Sequence, residues 1–345
     1  EVTGVQTCAL PISRIYLDSG NPRESLQTLK DYEKKNKNIL KMDYYFLKLE
    51  TLYRLFMHKE IFCLINELEE NNNMPLNCVI NGYYSMLQND WDSAVSQLET
   101  AVNHLQGQEL LEVNLLLVDA YRKRNLKVDH QKLIELIPAI PHWKHHNSFI
   151  DTYINSLYLL GKYDEVLNFF NNEINNPTII ARDVVAAIYY QAEWYEISKD
   201  MYEDLYHLTD NVRYLFRYSN CLFRLGDSEG CLNTLRMAEM KVKDNANIED
   251  LDLLSLAYLD AMQYEKALDY AYQTFRYGEK NPEVWGAYFW RFIQITQFIE
   301  VTNKEYTDAY QKVFSTFSEV FPNEKQPFEQ FKAIEEDGKL SSDFL

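Results

Sequence analysis

Glycine and proline are scarce in this sequence. The chain has 10 glycines and 9 prolines among 345 residues, roughly half of what an average chain of this length carries. Both residues interrupt helices, so their scarcity favours long helices joined by short turns. Neither GxGxxG nor GxxxxGK[ST] occurs, which excludes the two common glycine-rich phosphate loops.

Cysteine pairs with metal or redox spacing are also missing. The five cysteines contain no CxxC motif, and an odd number without such spacing is typical of reduced thiols in a cytoplasmic protein. No apolar run reaches the roughly 18 residues that a membrane-spanning helix needs. We therefore expect a cytoplasmic protein without a membrane span.

Positive charge is in short supply. The chain has 52 acidic and 34 basic residues, which gives a net charge of −18. Such a chain repels nucleic-acid phosphates and anionic lipid, so we expect neither as a partner. The catalytic patterns GxSxG and HExxH are absent as well, and we expect a protein that is not an enzyme and needs no cofactor.

A polar turn followed by a helix recurs along the chain. Each copy has the turn, often an aromatic residue, and then apolar residues at positions i, i+1 and i+4. Four clear copies predict turns near Asn89, Gly161, Gly226 and Met262. Since each turn separates two apolar-periodic segments, we expect a pair of antiparallel helices around each one.

One position of the second helix in each pair marks the period. Its intervals along the chain are 36, 33, 36, 36, 31, 34 and 36 residues, and its members are Ser25, Ile61, Ala94, His130, Val166, Ile197, Cys231 and Ala267. The pattern resembles the tetratricopeptide repeat, which has a period of about 34 residues and a small residue at this position. The resemblance implies an all-α fold, an α–α superhelix of about eight helix pairs with a C-terminal capping pair.

Four segments follow from this interpretation. Residues 1–12 do not fit the repeat, and we interpret them as a non-native leader. The helical repeats cover 13–281, and an aromatic-rich helix pair covers 282–322. Residues 323–345 form a polar tail that we expect to lead into a further domain.

One histidine cluster could bind a metal ion. His142, His145 and His146 lie within five residues of each other, and imidazoles bind zinc or nickel. No cysteine or carboxylate set completes a known spacing, and the cluster follows two prolines at a junction between repeats. We expect an exposed turn and no metal site.

The resemblance also implies a binding surface, because first helices line the inner groove in this family. Carried over by register, the groove residues are Arg122, Lys123, Asn155, Tyr158, Arg182, Tyr189, Arg213, Phe216, Asn220, Phe223 and Arg224. The same positions give Tyr53, Arg54, Tyr83 and Met86 earlier in the chain, and Asp119, Asp151, Asp252 and Asp260 among the acids. The groove would accept an acidic or aromatic peptide, unless these positions are merely a solvated surface.

A specialised carboxylate clamp is not expected. Asn155, Arg213 and Arg217 match three of its five positions in the family, but Asp151 and Asp183 occupy the other two. A carboxylate at those positions repels the carboxylate that the clamp would hold.

Two functions stay open at this point. The first is a protein–protein interaction scaffold that binds an extended partner segment along a concave groove. The alternative is a regulatory or substrate-binding repeat arm of a larger enzyme whose catalytic domain lies beyond the C-terminus. Reading the parent reading frame past residue 345 would separate the two.

Overall fold

The all-α prediction is confirmed. The computed structural model describes residues 9–36, 41–70, 74–244, 247–278 and 285–296, with a few positions between 280 and 311. In these ranges the chain forms α-helices and short 3₁₀ turns, and no strand. None of the described helices is both long enough and apolar enough to cross a membrane. The chain divides into two compact units, Glu1–Ala181 (unit 1) and Arg182–Leu345 (unit 2).

Unit 1 consists of helix pairs, in which a first helix is followed by a turn and a second helix. The helices are α1 (Ala9–Asp18), α2 (Pro22–Lys35), α3 (Met42–Arg54), α4 (His58–Glu70), α5 (Met74–Leu87), α6 (Trp91–Val102), α7 (Gly107–Arg124), α8 (Lys127–Leu136), α9 (Asn147–Leu159) and α10 (Tyr163–Asn172). Two 3₁₀ turns, Ile137–Ala139 and Trp143–His145, connect α8 to α9. Odd-numbered helices are the first helices.

Unit 2 continues the same order. Its helices are α11 (Ile179–Gln191, of which residues 182–191 belong to this unit), α12 (Tyr195–Thr209), α13 (Val212–Arg224), α14 (Ser228–Asp244), α15 (Ile248–Asp260), α16 (Tyr264–Gly278) and α17 (Trp285–Thr296). Its core includes Leu235, Leu254, Phe275 and Phe292, each fully buried.

Some of the predicted segments fall outside the described residues. Helix α17 is the first helix of the predicted C-terminal pair, whereas most of its second helix and the whole tail 323–345 lie outside them. Helix α1 begins at Ala9, inside the segment that we interpreted as a leader, and Ala9 and Leu10 pack against the buried cluster that contains Leu17 and Leu29.

Each turn within a pair contains one residue in the left-handed region. These residues are Gly20, Phe56, Asn89, Asn125, Gly161, Glu193, Gly226 and Met262. Main-chain hydrogen bonds close the turns: the amides of Gly226 and Asp227 donate to the carbonyls of Phe223 and Leu222 at 3.0 and 2.9 Å. This is the usual way in which a left-handed residue ends a helix. All four turns predicted from the sequence are therefore confirmed.

The period-marking position is buried in every pair, with one correction to the predicted series. The sixth member is Ser198, which is fully buried, because Ile197 is 44% exposed. The error came from the 31-residue interval, where the turn at Glu193 has an unusual sequence. The three large members are accommodated: Ile61 and Val166 are buried by apolar packing, and His130 is 8% exposed.

Hydroxyl groups at this position link successive helices. The Ser25 hydroxyl lies 2.8 Å from that of Ser13 on its own first helix and 3.0 Å from that of Thr51 on the next. Ser198 donates to the carbonyl of Ala186 at 2.9 Å. A buried hydroxyl needs a partner, so these bonds fix how closely the helices approach.

Candidate functional site

The first-helix face of unit 1 contains a cleft between α7, α8 and α9. Its volume is about 390 Å³, and we call it the unit 1 cleft; its lining is Arg122, Asn125, His130, Leu133, Ser148, Asp151, Thr152, Asn155, Ser156, Leu159 and Ile180. Two predicted groove residues, Arg122 and Asn155, lie in this lining. The cleft is thus a concave surface of unit 1 that contains residues at predicted groove positions.

Asp151 is the half-buried acid of the cleft. Its carboxylate accepts a hydrogen bond from the Thr178 hydroxyl. Burial raises the pKa of Asp151, and the Thr178 bond opposes this shift without cancelling it. Among the residues that the structure describes, no basic side chain lies within ion-pair distance of this carboxylate. The charge is therefore desolvated and uncompensated within the unit.

The other charged groups of the cleft already have partners. Arg122 is bound to Asp119 one turn earlier on α7, at 2.6 Å. The His130 ring lies 3.2 Å from the Ser156 hydroxyl, and burial lowers the pKa of His130. Because these groups are engaged, they do not neutralise Asp151.

Beside the cleft, a buried ion pair anchors α8 to the end of α7. The Asp129 side chain is fully buried and accepts two hydrogen bonds from the Arg124 guanidinium, at 2.5 and 3.0 Å. It also caps α8 by accepting from the amide of Leu126 at 3.0 Å. This charge is satisfied on every side, which is what burial requires.

Further towards the N-terminus, two residues at predicted groove positions, Arg54 and Tyr83, both contact Glu50. Glu50 accepts from Arg14 and Arg54, each at 2.6 Å, and lies 3.4 Å from the Tyr83 hydroxyl. Arg54 also donates to the carbonyl of Leu17 at 2.9 Å. We call this set the Glu50 cluster. The cluster holds the first helices together, and its side chains have few hydrogen-bonding groups left for a ligand.

Unit 2 has a row of polar side chains along α13. Arg213, Arg217, Asn220 and Arg224 follow the spacing i, i+4, i+7 and i+11, which places them on one face of the helix. We call them the α13 stripe. Its three arginines are exposed, while the opposite side of α13 is buried in the core. The sequence prediction omitted Arg217 from the groove, although this spacing could have identified it.

Carboxylates lie on both sides of the stripe. Burial raises the pKa of Asp183 on α11, and Arg213 and Arg217 partly offset the shift. On α15, burial and the neighbouring Glu249 raise the pKa of Asp250, while Arg213 lowers it. The arginines are therefore close enough to influence these carboxylates.

Arg213 and Arg217 nevertheless stay outside ion-pair distance of any acid that the structure describes. The distal end of the stripe is held more firmly: Asn220 donates to Asp260 on α15 at 3.1 Å, and Arg224 lies 3.4 Å from the Tyr190 hydroxyl. Burial raises the pKa of Asp260. The hydrogen bond from Asn220 and the nearby arginines lower it, but they only partly offset the effect of burial. The open part of the stripe is thus its N-terminal half.

The predicted aromatic anchors do not all lie on the surface. Phe216 is 4% exposed and belongs to the core of unit 2, so its assignment to the groove is wrong. Phe223 is half-buried against the same core. Because the α13 stripe occupies the exposed face of the helix, Phe216 and Phe223 lie on a side of α13 that packs against the core.

The remaining candidates are accessible to different degrees. Tyr189 stacks on Trp194 with ring centroids 5.6 Å apart, and Tyr158 lies 5.5 Å from Tyr163. Arg182 is half-buried, and Lys123 is exposed. These side chains border the first-helix faces.

The histidine cluster lies on the exposed connection between α8 and α9. Trp143 anchors this connection by stacking on Phe169, with centroids 5.4 Å apart, while the three histidines stay exposed. Among the residues described, no group of three His, Cys, Asp or Glu side chains is arranged to hold a metal ion.

Comparison with known proteins gives likenesses of structure. No protein-family model matches the sequence, and neither does any curated protein. Similar solved structures include a tetratricopeptide repeat protein from Parabacteroides merdae, with 13% identity over 84% of this chain and 98% of that chain and a TM-score of 0.36. The apo form of RapI has 14% identity over 97% and 93%, with a TM-score of 0.47.

A third similar structure is the TPR2AB domain of yeast Sti1 in complex with pHSP90. Its identity is 11% over 85% of this chain and 98% of that chain, and its TM-score is 0.27. The described helices and their recurring turns make this chain an all-α helical-repeat protein that resembles the tetratricopeptide repeat proteins.

Proposed function

We propose that the protein is a non-catalytic interaction scaffold whose unit 2 binds an acidic segment of a partner protein along the α13 stripe. The observation that carries the proposal is the exposed, unpaired state of Arg213 and Arg217 beside half-buried carboxylates. A guanidinium presents a planar set of donors that suits carboxylate recognition. The acids of α11 and α15 lie near the arginines without occupying their donors.

The flanking acids also give the surface selectivity. A partner carboxylate must meet Arg213 or Arg217 while it avoids Asp183 and Asp250, because like charges that are placed side by side repel. The binding segment should therefore carry acidic residues at defined intervals, separated by neutral or aromatic residues. Tyr189, stacked on Trp194 at the end of α11, offers an aromatic contact.

The test begins with selection from a random peptide library displayed against the wild-type protein. Enriched peptides should be acidic, and Arg213→Glu with Arg217→Glu should weaken their binding about tenfold or more and flatten its salt dependence. Circular dichroism should show unchanged helicity, since both side chains are exposed.

A matched control reverses two exposed charges on second helices, Lys127→Glu on α8 and Arg236→Glu on α14. This control changes the net charge by the same amount and should leave binding within about twofold. If the selected peptides bind the stripe variant as tightly as the wild type, unit 2 does not bind through α13.

A further inference from the structure

The unit 1 cleft contains a negative charge that the fold does not use. Asp151 is half-buried, it accepts a hydrogen bond from the neutral hydroxyl of Thr178, and it makes no ion pair with the residues that the structure describes. A desolvated carboxylate without a cation is unfavourable. Asp129, which is fully buried on α8 beside the cleft, has Arg124 as its partner. The chain therefore neutralises a buried carboxylate where that carboxylate has a structural role.

Arg122 and His130, the two basic residues in the described lining of the cleft, have other partners. Arg122 lies in the same lining but is bound to Asp119, and His130 is engaged with Ser156. The cleft therefore offers a negative site that a group from outside can fill.

The rest of the lining specifies the shape of that group. Asn155 lies one turn after Asp151 on α9 and has no hydrogen bond within the described part of the chain, so its amide oxygen is free to accept. Leu159 and Ile180 also line the cleft and are 55% and 44% exposed. Acceptors at the base and apolar side chains at the rim match a group with a cationic head and a methylene stem.

We propose that the unit 1 cleft receives the side chain of an arginine or lysine from a partner protein, with the cationic group at Asp151 and Asn155 and the methylene stem against Leu159 and Ile180. The proposal rests on the proposed scaffold function, in that the ligand belongs to a protein segment. It adds that unit 1 selects the opposite charge from the one that the α13 stripe selects.

The experiment titrates isotopically labelled protein with three blocked amino acids and follows the NMR signals of the Asn155 side-chain amide and the Thr178 main-chain amide. The probes are N-acetyl-arginine methylamide, N-acetyl-lysine methylamide and N-acetyl-citrulline methylamide, a neutral isostere of the first. The arginine and lysine probes should give saturable shifts in the millimolar range, and citrulline should bind about tenfold more weakly. The two cationic arms show which side chain the cleft prefers.

Two variants and one control locate the site. Asp151→Asn should reduce binding of the cationic probes about tenfold, whereas the control Asp164→Asn, which removes an equal charge from the exposed side of α10, should change it less than about threefold. Leu159→Lys, at a position that is 55% exposed, places a competing ammonium beside the cleft and should weaken binding even if Asp151→Asn fails to fold.

The proposal is overturned if no probe gives a saturable shift, if citrulline binds as well as arginine, or if Asp164→Asn weakens binding as much as Asp151→Asn. These probes report on the unit 1 cleft alone. Failure here would leave the α13 stripe and the peptide selection unaffected, so the two proposals fail separately.

Discussion

The charges of the Glu50 cluster in unit 1 and of the α13 stripe in unit 2 are arranged differently. In unit 1 the Glu50 cluster and the Arg124–Asp129 pair bring each cation into contact with an anion. In unit 2, Arg213 and Arg217 stay apart from Asp183, although each influences the pKa of that carboxyl group. Paired charges stabilise a helix stack, whereas separated ones retain donors for a ligand. The contrast separates charges that hold the fold from charges available for binding, and Asp151 is the exception in unit 1.

The largest expected effect comes from breaking the buried pair of unit 1. Arg124→Met leaves the fully buried Asp129 without a cation and should lower the free energy of unfolding by about 3 kcal/mol. The matched change Arg217→Met in unit 2 removes an exposed arginine and should cost less than about 0.5 kcal/mol. Urea denaturation measures both, and equal losses would contradict the contrast.

A second prediction concerns a carboxylate that stabilises unit 2 away from the stripe. Glu239 on α14 accepts from Tyr258 at 2.6 Å, Tyr270 at 2.7 Å, Lys243 at 2.8 Å and Lys266 at 2.9 Å. Burial raises the pKa of Glu239, but these hydrogen bonds outweigh it and hold the pKa well below its ordinary range. Glu239→Gln should therefore cost about 2 kcal/mol at neutral pH.

The pH dependence follows from the sign of that shift. Because the folded-state pKa is depressed, the stabilisation by Glu239 is present above the unfolded-state pKa of about 4.3 and is lost as the pH falls below it. The difference in unfolding free energy between wild type and Glu239→Gln should shrink between neutral pH and about pH 3. A difference that stays constant over this range would rule out the charged hydrogen bonds as its cause.

The third prediction tests the turns, which the two units share. Met262 has a φ of 56° and is 61% exposed, so its side chain contributes little packing. Met262→Gly should raise the unfolding free energy by about 1 kcal/mol, because glycine adopts this conformation without steric cost. Phe56→Gly in unit 1, with φ of 56° and 80% exposure, should behave alike. If neither variant has a higher midpoint in a thermal melt, the left-handed backbone of Met262 and Phe56 is not strained.

The smallest effect is expected at Asp183. Burial raises its folded-state pKa, so its charge costs stability at neutral pH, and this cost disappears below the unfolded-state pKa of about 3.9. Asp183→Asn should gain about 0.5 kcal/mol at pH 7 and nothing near pH 3. Denaturation at the two pH values tests this, and a loss of stability at pH 7 would show that Asp183 supports the fold through its neighbours.

The sequence predicted the helices well because their signal is local. Turns at Asn89, Gly161, Gly226 and Met262 follow from polar residues between apolar-periodic segments. The direction of individual side chains depends on register, and an error of one residue rotates a side chain by about 100° around the helix. Ile197 was assigned in place of Ser198 for this reason. Phe216 was assigned to the groove in the same register that located Arg213 and Arg224, and its burial depends on how α13 packs against the core of unit 2, which the register does not specify.

The candidate sites were only partly predictable. The register located Arg122, Asn155, Arg213 and Arg224 on first helices, where the structure places them. Whether a charge is paired depends on residues far away in sequence: Asn220 meets Asp260 from the next helix pair, and Asp151 meets Thr178. Periodicity in one sequence contains no information about such distant partners.

The main-chain closure of the turns has a consequence for how such a protein can change over time. Because backbone amides and carbonyls make the closing bonds at Gly226, and equally at Glu193 and Met262, the identity of the left-handed residue is only weakly constrained. Substitutions at these points can accumulate one at a time, each at a cost of about 1 kcal/mol. The fold of the repeat can thus be retained while its sequence changes, and exposed turn residues such as Trp194 become available for new contacts.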